Sequence, residues 1–270
     1  MKVQLRRTAA RSNPTQMSSR AGKHGVMQRP LQGKTDRIVR ILERFLGIPK
    51  PATRRPPPLD ILVATILSQN TNDKNSHRAY THLRKRYVRW EDVARAPVRS
   101  IESAIRSGGM ARQKAKRIKE LLANIPQQGG SLTLNGLKEM DDNRALEYLM
   151  AFKGVGVKTA SCVLLFSLGR DIFPVDTHVH RVCCRLGLSK GARLPEQTFD
   201  VMRSLVPRGK AYSFHTNLIR FGRLVCRSTN PSCSICPLYN ECVFPGKGRR
   251  DSRRRVASKA DHDFMLLDNV

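Results

Sequence analysis

Apolar positions recur along most of this chain at helical spacing, not strand spacing. Ile38, Ile41, Leu42 and Phe45 share one face after Thr35, a residue suited to start a helix, and Gly47 closes the segment. Order is therefore expected to begin at Thr35. The proline-rich stretch 49–58 cannot be regular helix. Beyond it the periodicity predicts helices near 59–68, 73–87, 97–107, 111–125, 143–151, 157–168, 176–187, 195–206 and 210–225. Gly108-Gly109 and Gln127-Gln128-Gly129-Gly130 mark breaks. Alternation of strand type is nearly absent and no solenoid-type repeat is visible. The pattern predicts an all-α protein of about ten short helices.

Charge changes the picture at both ends and in the middle. Residues 1–34 hold eight basic residues and no acid, without hydrophobic periodicity, and read as a disordered basic arm. The same composition suits a mitochondrial transit peptide, a DNA-binding arm or a start misplaced upstream of Met17 or Met27. Residues 246–270 read as a disordered basic tail. The net charge is +29, and with the flanks removed the body keeps 35 basic against 17 acidic residues. A globular body this basic points to a polyanion, nucleic acid before a membrane surface or an acidic protein. No apolar run approaches the roughly 18 residues needed to span a bilayer. Seven cysteines is an odd number for a secreted disulfide framework, and no signal-peptide apolar region is visible. A reducing compartment follows, with the question of what the cysteines ligate.

Candidate chemistry concentrates between Phe152 and Arg181. Lys153-Gly154-Val155-Gly156 is too glycine-rich to continue a helix, and a new helix starts near Val157. The freed N–H groups at its start suit a phosphate oxygen, with Val155 packing inward. An ordinary helix–helix turn would look the same locally. Lys158 lies in the first turn of that new helix, where the helix dipole and burial would both lower its pKa and free an amine for nucleophilic attack. A surface lysine on a phosphate would need no such shift. Asp176, after Pro174, can cap the next helix and still aim a carboxylate oxygen into a cleft. Cys226, Cys233, Cys236 and Cys242 follow the spacing C-x6-C-x2-C-x5-C, with Pro231 and Pro237 among them. Zinc and a [4Fe–4S] cluster both accept four cysteines, and paired C-x2-C spacing would favour zinc. Cys162, Cys183 and Cys184 lie in apolar helical runs and read as core thiols.

Three separated motifs, Gly-Val-Gly-x-Lys-Thr-Ala at 154–160, Val-Asp-Thr-His at 175–178 and the cysteine loop at 226–242, resemble the endonuclease III family of helix-hairpin-helix DNA glycosylases. The resemblance covers roughly residues 36–245. It implies two helical subdomains with a DNA-binding cleft between them: residues 59–170 as a six-helix barrel containing the hairpin, and residues 35–58 plus 171–245 as a subdomain carrying a [4Fe–4S] cluster on the four cysteines. It implies Lys158 as nucleophile and Asp176 as catalytic carboxylate of a glycosylase that also cleaves abasic sites. It places Ser68 and Asp73 in a lesion pocket. Lys153, Gly154, Val155, Gly156, His178 and Arg181 fall on the DNA side, with Met110 as an apolar wedge into the opposite strand. In this family a glutamine fills the gap left by the flipped nucleotide. Here Asn70 aligns with it and Gln69 lies one residue early. Without the resemblance, Gln69 and Asn70 read as a polar helix end and Met110 as core. Lys153 stands where proline is common. The expected partner is duplex DNA with damaged bases, oxidised pyrimidines first, or abasic sites, met by a monomer without a membrane. A uracil- or thymine-mismatch glycosylase and a non-catalytic helix-hairpin-helix protein are the alternatives. The compartment would be the bacterial or archaeal cytoplasm or nucleoid, or the mitochondrion or nucleus of a eukaryote.

Overall fold

The computed structural model describes residues 21–248. Helix α1 (Ala21–Leu46) is followed by the extended proline segment, then α2 (Pro58–Ser68), α3 (Asp73–Arg86), α4 (Trp90–Arg95), α5 (Val98–Ala104) and α6 (Ala111–Ala123). Helices α7 (Asp142–Met150), α8 (Val157–Cys162), α9 (Thr177–Arg185), α10 (Pro195–Leu205) and α11 (Ala211–Leu224) complete the set. All-α character and the order of the helices follow the expected pattern.

Helix α2 is largely apolar, Asp60 aside, and lies at the centre, with Pro58, Leu59 and residues 61–67 buried. Helices α3, α6 and α8 pack on it, and α4 and α5 pack on α6. Helix α1 runs instead against α10 and α11, and α9 also packs on both of these. The two sets share one contiguous apolar core, which places the ends of α2, α8 and α9 and one face of α11 around a common cleft.

Four departures from the periodic reading have local causes. Helix α1 begins before Thr35, so that residue is not a cap. Its hydroxyl is buried and donates to the Leu31 carbonyl at 2.8 Å, while Gln32 reaches the Leu205 carbonyl at 3.0 Å. This earlier turn is held by α10 and not by a hydrophobic stripe of its own. The basic-arm reading therefore gives way to helix over 21–34. Residues 1–20 and the tail from 249 lie outside the described residues.

Helix α4 was not expected. It is only six residues long and hangs on Trp90, whose Nε1 donates to Asp60 at 3.2 Å beneath the Arg84 guanidinium. The Gln-Gln-Gly-Gly break is a two-residue antiparallel hairpin, Gln127–Gln128 against Ser131–Leu132, with both glycines at positive φ. Beyond Cys162, α8 continues as a π-helical turn over Val163–Ser167. Arg55 donates to the Leu165 carbonyl at 3.2 Å and Ser167 donates to Pro56, which ties the proline segment to this widened turn.

Candidate active site

The turn between α7 and α8 supplies the first wall. Asp141 caps α7, accepting from the Asn143 and Arg144 amides at 3.0 Å. After Phe152 the chain reverses through Gly154, whose φ of +81° excludes most side chains. A Cβ there would also lie 2.8 Å from Arg117 Nε. Val155 is buried and fixes the turn to the core, leaving Gly154 and Gly156 on the surface at the cleft. Lys153 points away from that cleft and lies 3.4 Å from Glu120 on an exposed flank.

Lys158 and Asp176 line the same cleft of about 610 Å³. Asp176 caps α9, accepting from the Val179 amide at 2.8 Å, and still lines the cleft, so the cap and a cleft-facing carboxylate coexist. Lys158 departs from expectation in its charge. Burial opposes its ammonium, but Cys162 one helical turn on, Asp176 and Asp73 outweigh that opposition, and the pKa lies above the ordinary lysine value. Burial pushes the Cys162 thiol up as well, so near neutral pH this residue meets Lys158 as a hydrogen-bonded thiol and not as a second charge. The carboxylates, together with the hydrogen bond that the Cys162 sulfur accepts from the ammonium, then hold the amine protonated in the free protein. The helix start and burial do not lower the pKa as the sequence pattern suggests.

The opposite wall comes from the end of α2 and from α11. Ser68 lines it with its hydroxyl turned back to the Thr65 carbonyl at 2.8 Å. Asp73 lines it too, gripped by Arg223 at 2.8 and 3.2 Å. His178 is held neutral, since burial pushes its pKa down and Arg181 and Arg223 add to the effect. Arg181, expected at the DNA, turns inward. It donates to the Gly222 carbonyl at 2.8 Å and the Cys226 carbonyl at 3.1 Å, joining α9 to α11 and to the cysteine loop.

Gln69 and Asn70 part company. Gln69 accepts from Arg117 at 2.6 Å and is held against the hairpin side, whereas Asn70 is exposed with φ +52°. Met110 is 52% exposed, which removes the core reading for it. It stands at the start of α6 with φ +49°. Beneath both loops lies Lys114, buried, with Nζ donating to the Leu67 and Gly108 carbonyls at 2.7 Å each. Burial lowers its pKa to about 8.

Sequence reasoning missed His215, Arg223, Arg117 and Lys114. His215 and Arg223 sit two turns apart with Ile219 between them, so a spacing of four along α11 marks the stripe that faces the cleft. His215 is buried, and its Nδ1 lies 2.9 Å from the Pro174 carbonyl. Burial drives its pKa down to about 4, so the ring is neutral and donates from Nδ1 to the extended segment that leads into Asp176.

The four cysteines of the C-terminal loop line one small cavity together with Arg185, Pro231 and Phe244. Arg185 donates to Cys226 Sγ at 3.4 Å and to the Arg227 and Ser228 carbonyls, and stacks 4.3 Å over the Phe244 ring. Among the described residues no three His, Cys, Asp or Glu side chains are drawn close enough to hold one metal ion. Four thiols lining one cavity are a donor set that tetrahedral zinc and a [4Fe–4S] cluster both accept.

Residues 63–208 match the profile of the HhH-GPD superfamily base excision DNA repair proteins. Endonuclease III of Thermotoga maritima is 34% identical over 200 residues, covering 74% of this chain and 89% of that protein. The DNA glycosylase/AP lyase ROS1 of Arabidopsis thaliana is 31% identical over 172 residues, covering 57% of this chain but only 12% of that much longer protein. Among solved structures, a trapped endonuclease III–DNA covalent intermediate superposes with a TM-score of 0.64 at 27% identity, covering 80% of this chain and 95% of that one. Among the described residues no helix is long and apolar enough to cross a membrane.

Proposed function

This chain belongs to the HhH-GPD superfamily of base excision DNA repair proteins, and on that premise we propose that it is a bifunctional glycosylase/lyase whose nucleophile is Lys158 and whose preferred substrates are oxidised pyrimidines in duplex DNA. The observation that carries the reading is the shared cleft, in which one lysine faces Asp176 and Asp73 beside the glycine hairpin. A base stacked in a duplex hides its sugar carbon, so the nucleotide must be extruded at a cost of roughly a few kcal/mol. Phosphate contacts to the Gly154 and Gly156 amides offset part of that cost without reading sequence. Asn70 fills the vacated space and Met110 enters from the opposite strand.

Lys158 starts as an ammonium and must lose a proton before it attacks. Asp176 lies beside it to accept that proton and to stabilise positive charge growing on the sugar. The lysine nitrogen then bonds to C1′, the N-glycosidic bond breaks, and the bonding pair and a proton leave with the base. Loss of the ring oxygen from C1′ gives a Schiff base, and removal of a C2′ proton expels the 3′ phosphate by β-elimination. Neutral His215 holds the Pro174 carbonyl, and through it the approach to Asp176, without adding a charge to the site.

Cys226, Cys233, Cys236 and Cys242 are the residues that would hold a [4Fe–4S] cluster. When bound, the cluster supplies a four-way cross-link that gives the loop its shape. Arg181 and Arg185 would anchor that loop to α9 and α11. We also assign α2–α8 to the barrel subdomain and α1 with α9–α11 to the cluster subdomain, in keeping with which helices pack together.

Borohydride trapping on duplexes containing thymine glycol, uracil, a G·T mismatch or an abasic site tests the reading. Trapping on thymine glycol that disappears in Lys158→Gln is expected. Trapping that survives in that variant would move the nucleophile elsewhere, and trapping confined to uracil or G·T would replace the substrate class.

A further inference from the structure

The basic residues of α6 fall into two groups with different fates. Lys114, Arg117 and Lys119 spend their donors inside the protein, on the Leu67 and Gly108 carbonyls, on Gln69, and on the Ala94 and Ala96 carbonyls. Arg112 and Lys116 do not. They are exposed on the outer face, one turn apart, and line a groove of about 520 Å³ with Arg99 of α5 and Arg106 of the turn that follows it. None of these four side chains has a hydrogen bond or ion pair with the described protein. Glu102 is the one acid lining the groove, and it lies beyond ion-pair distance of all four.

Like charges one turn apart weaken a helix, and four unpaired cations around one groove repel each other. A ligand that neutralises them would relieve both costs. The groove also has a defined place. Arg106 lies four residues before Met110 and Arg112 two residues after it, so the cations flank the exposed Met110 and lie outside the cleft that holds Lys158. An apolar side chain that enters a duplex from the strand opposite the lesion must bring its neighbours against the phosphates of that strand.

We infer that Arg99, Arg106, Arg112 and Lys116 form a phosphate-binding groove for the undamaged strand, a second anchor separate from the hairpin that holds the damaged one. The inference rests on the proposed role of Met110 and extends it to the strand the chemistry does not touch. Because the groove binds phosphates, it adds affinity without base preference, and it places the wedge opposite the lesion before extrusion.

The test is binding of a duplex carrying a tetrahydrofuran abasic analogue, measured from low to moderate salt, for the wild type and for Arg99→Gln/Arg106→Gln/Arg112→Gln/Lys116→Gln. Removing one cation from a phosphate should reduce the slope of log K against log salt by about 0.9, so the fourfold variant should be shallower by about 3 to 4. Neutral methylphosphonate linkages supply the strand assignment. Placed in the undamaged strand near the lesion, they should weaken the wild type and have little further effect on the variant. Placed in the damaged strand, they should weaken both alike. An unchanged slope would overturn the groove and leave it to another partner, such as an acidic protein. A wild type weakened only by damaged-strand substitution would overturn the strand assignment. Wild-type borohydride trapping on an abasic duplex, run alongside, reports separately on the lyase reading.

Discussion

Asn70 and Met110 meet across the mouth of the cleft, with Asn70 Nδ2 3.8 Å from Met110 Sδ. Both hold left-handed backbone, at φ +52° and +49°, and among the described residues only Asn230 joins them as a non-glycine with positive φ. Left-handed backbone costs roughly 1–2 kcal/mol for an ordinary L-residue, less for asparagine. The chain accepts that strain at the two residues that project from adjacent loops toward the same point. Such strain persists only where surrounding structure enforces it, and it is common at sites of function.

Met110→Gly should therefore separate stability from activity. Glycine relieves the left-handed strain, and the thermal midpoint should rise in line with up to about 1 kcal/mol. Excision from duplex DNA should fall about tenfold to a hundredfold, because the proposed wedge is gone. Borohydride trapping on a single-stranded abasic site, which needs no wedge, should change little. A variant that keeps full duplex activity would remove Met110 from the mechanism.

Lys114 links these two loops from below. Lys114→Met keeps the length of the side chain and removes its donors, leaving the Leu67 and Gly108 carbonyls buried without partners. Each loop should loosen, at a total cost of about 1–3 kcal/mol. Duplex excision should fall further than single-strand trapping does. Lys114→Gln, too short to reach both carbonyls, serves if the methionine variant does not fold. Equal loss of both activities would reduce the residue to a general stabiliser. Deprotonation near pH 8 should not by itself release the loops, because a neutral amine still carries two N–H donors for two carbonyls.

How far the residues alone disclosed this arrangement depended on how local each signal was. Helices α2, α3, α6 and α9–α11 carry amphipathic or continuous apolar patterns, and their ends were legible to within a residue or two. Helix α4 was not, since its six residues are held by one indole bonded to Asp60 thirty residues earlier. That Lys158 and Asp176 line one cleft was legible because the hairpin, the lysine and the cap lie within one short stretch. Arg223 on Asp73 was not, because 150 residues separate them. Arg181 looked like a phosphate ligand because sequence cannot say which way a guanidinium turns. Lys114 did leave a trace. It falls four residues before Ile118, and so on the buried stripe of α6, where a charged residue already asks for a reason.

Cys162→Ala tests the charge state of Lys158, the proposed nucleophile. The thiol and the carboxylates raise the Lys158 pKa against burial. Removing the thiol leaves burial less opposed, so the pKa should fall. A nucleophile that must be unprotonated loses about tenfold in rate per pH unit below its pKa, so the acid limb of kcat/KM should move to lower pH. A pH profile of thymine glycol excision under single-turnover conditions measures this. An acid limb that stays in place would mean that the carboxylates alone set the protonation of Lys158.

The last expectation concerns acid stability and follows from His215. Its folded pKa of about 4 lies below the ordinary value of 6.5, because burial disfavours the imidazolium. Between those two values the unfolded chain binds a proton that the folded chain does not, so stability rises with pH across the window and is lost as pH falls through it. A shift of this size corresponds to roughly 3 kcal/mol, fully lost only near pH 4. His215→Gln keeps a donor for the Pro174 carbonyl and cannot titrate. Denaturant titrations at intervals from pH 7 to pH 4 should show the wild type losing stability faster than the variant, with the difference growing below about 6.5. Parallel losses in the two proteins would show that His215 accepts its proton as readily in the folded cleft as in the unfolded chain.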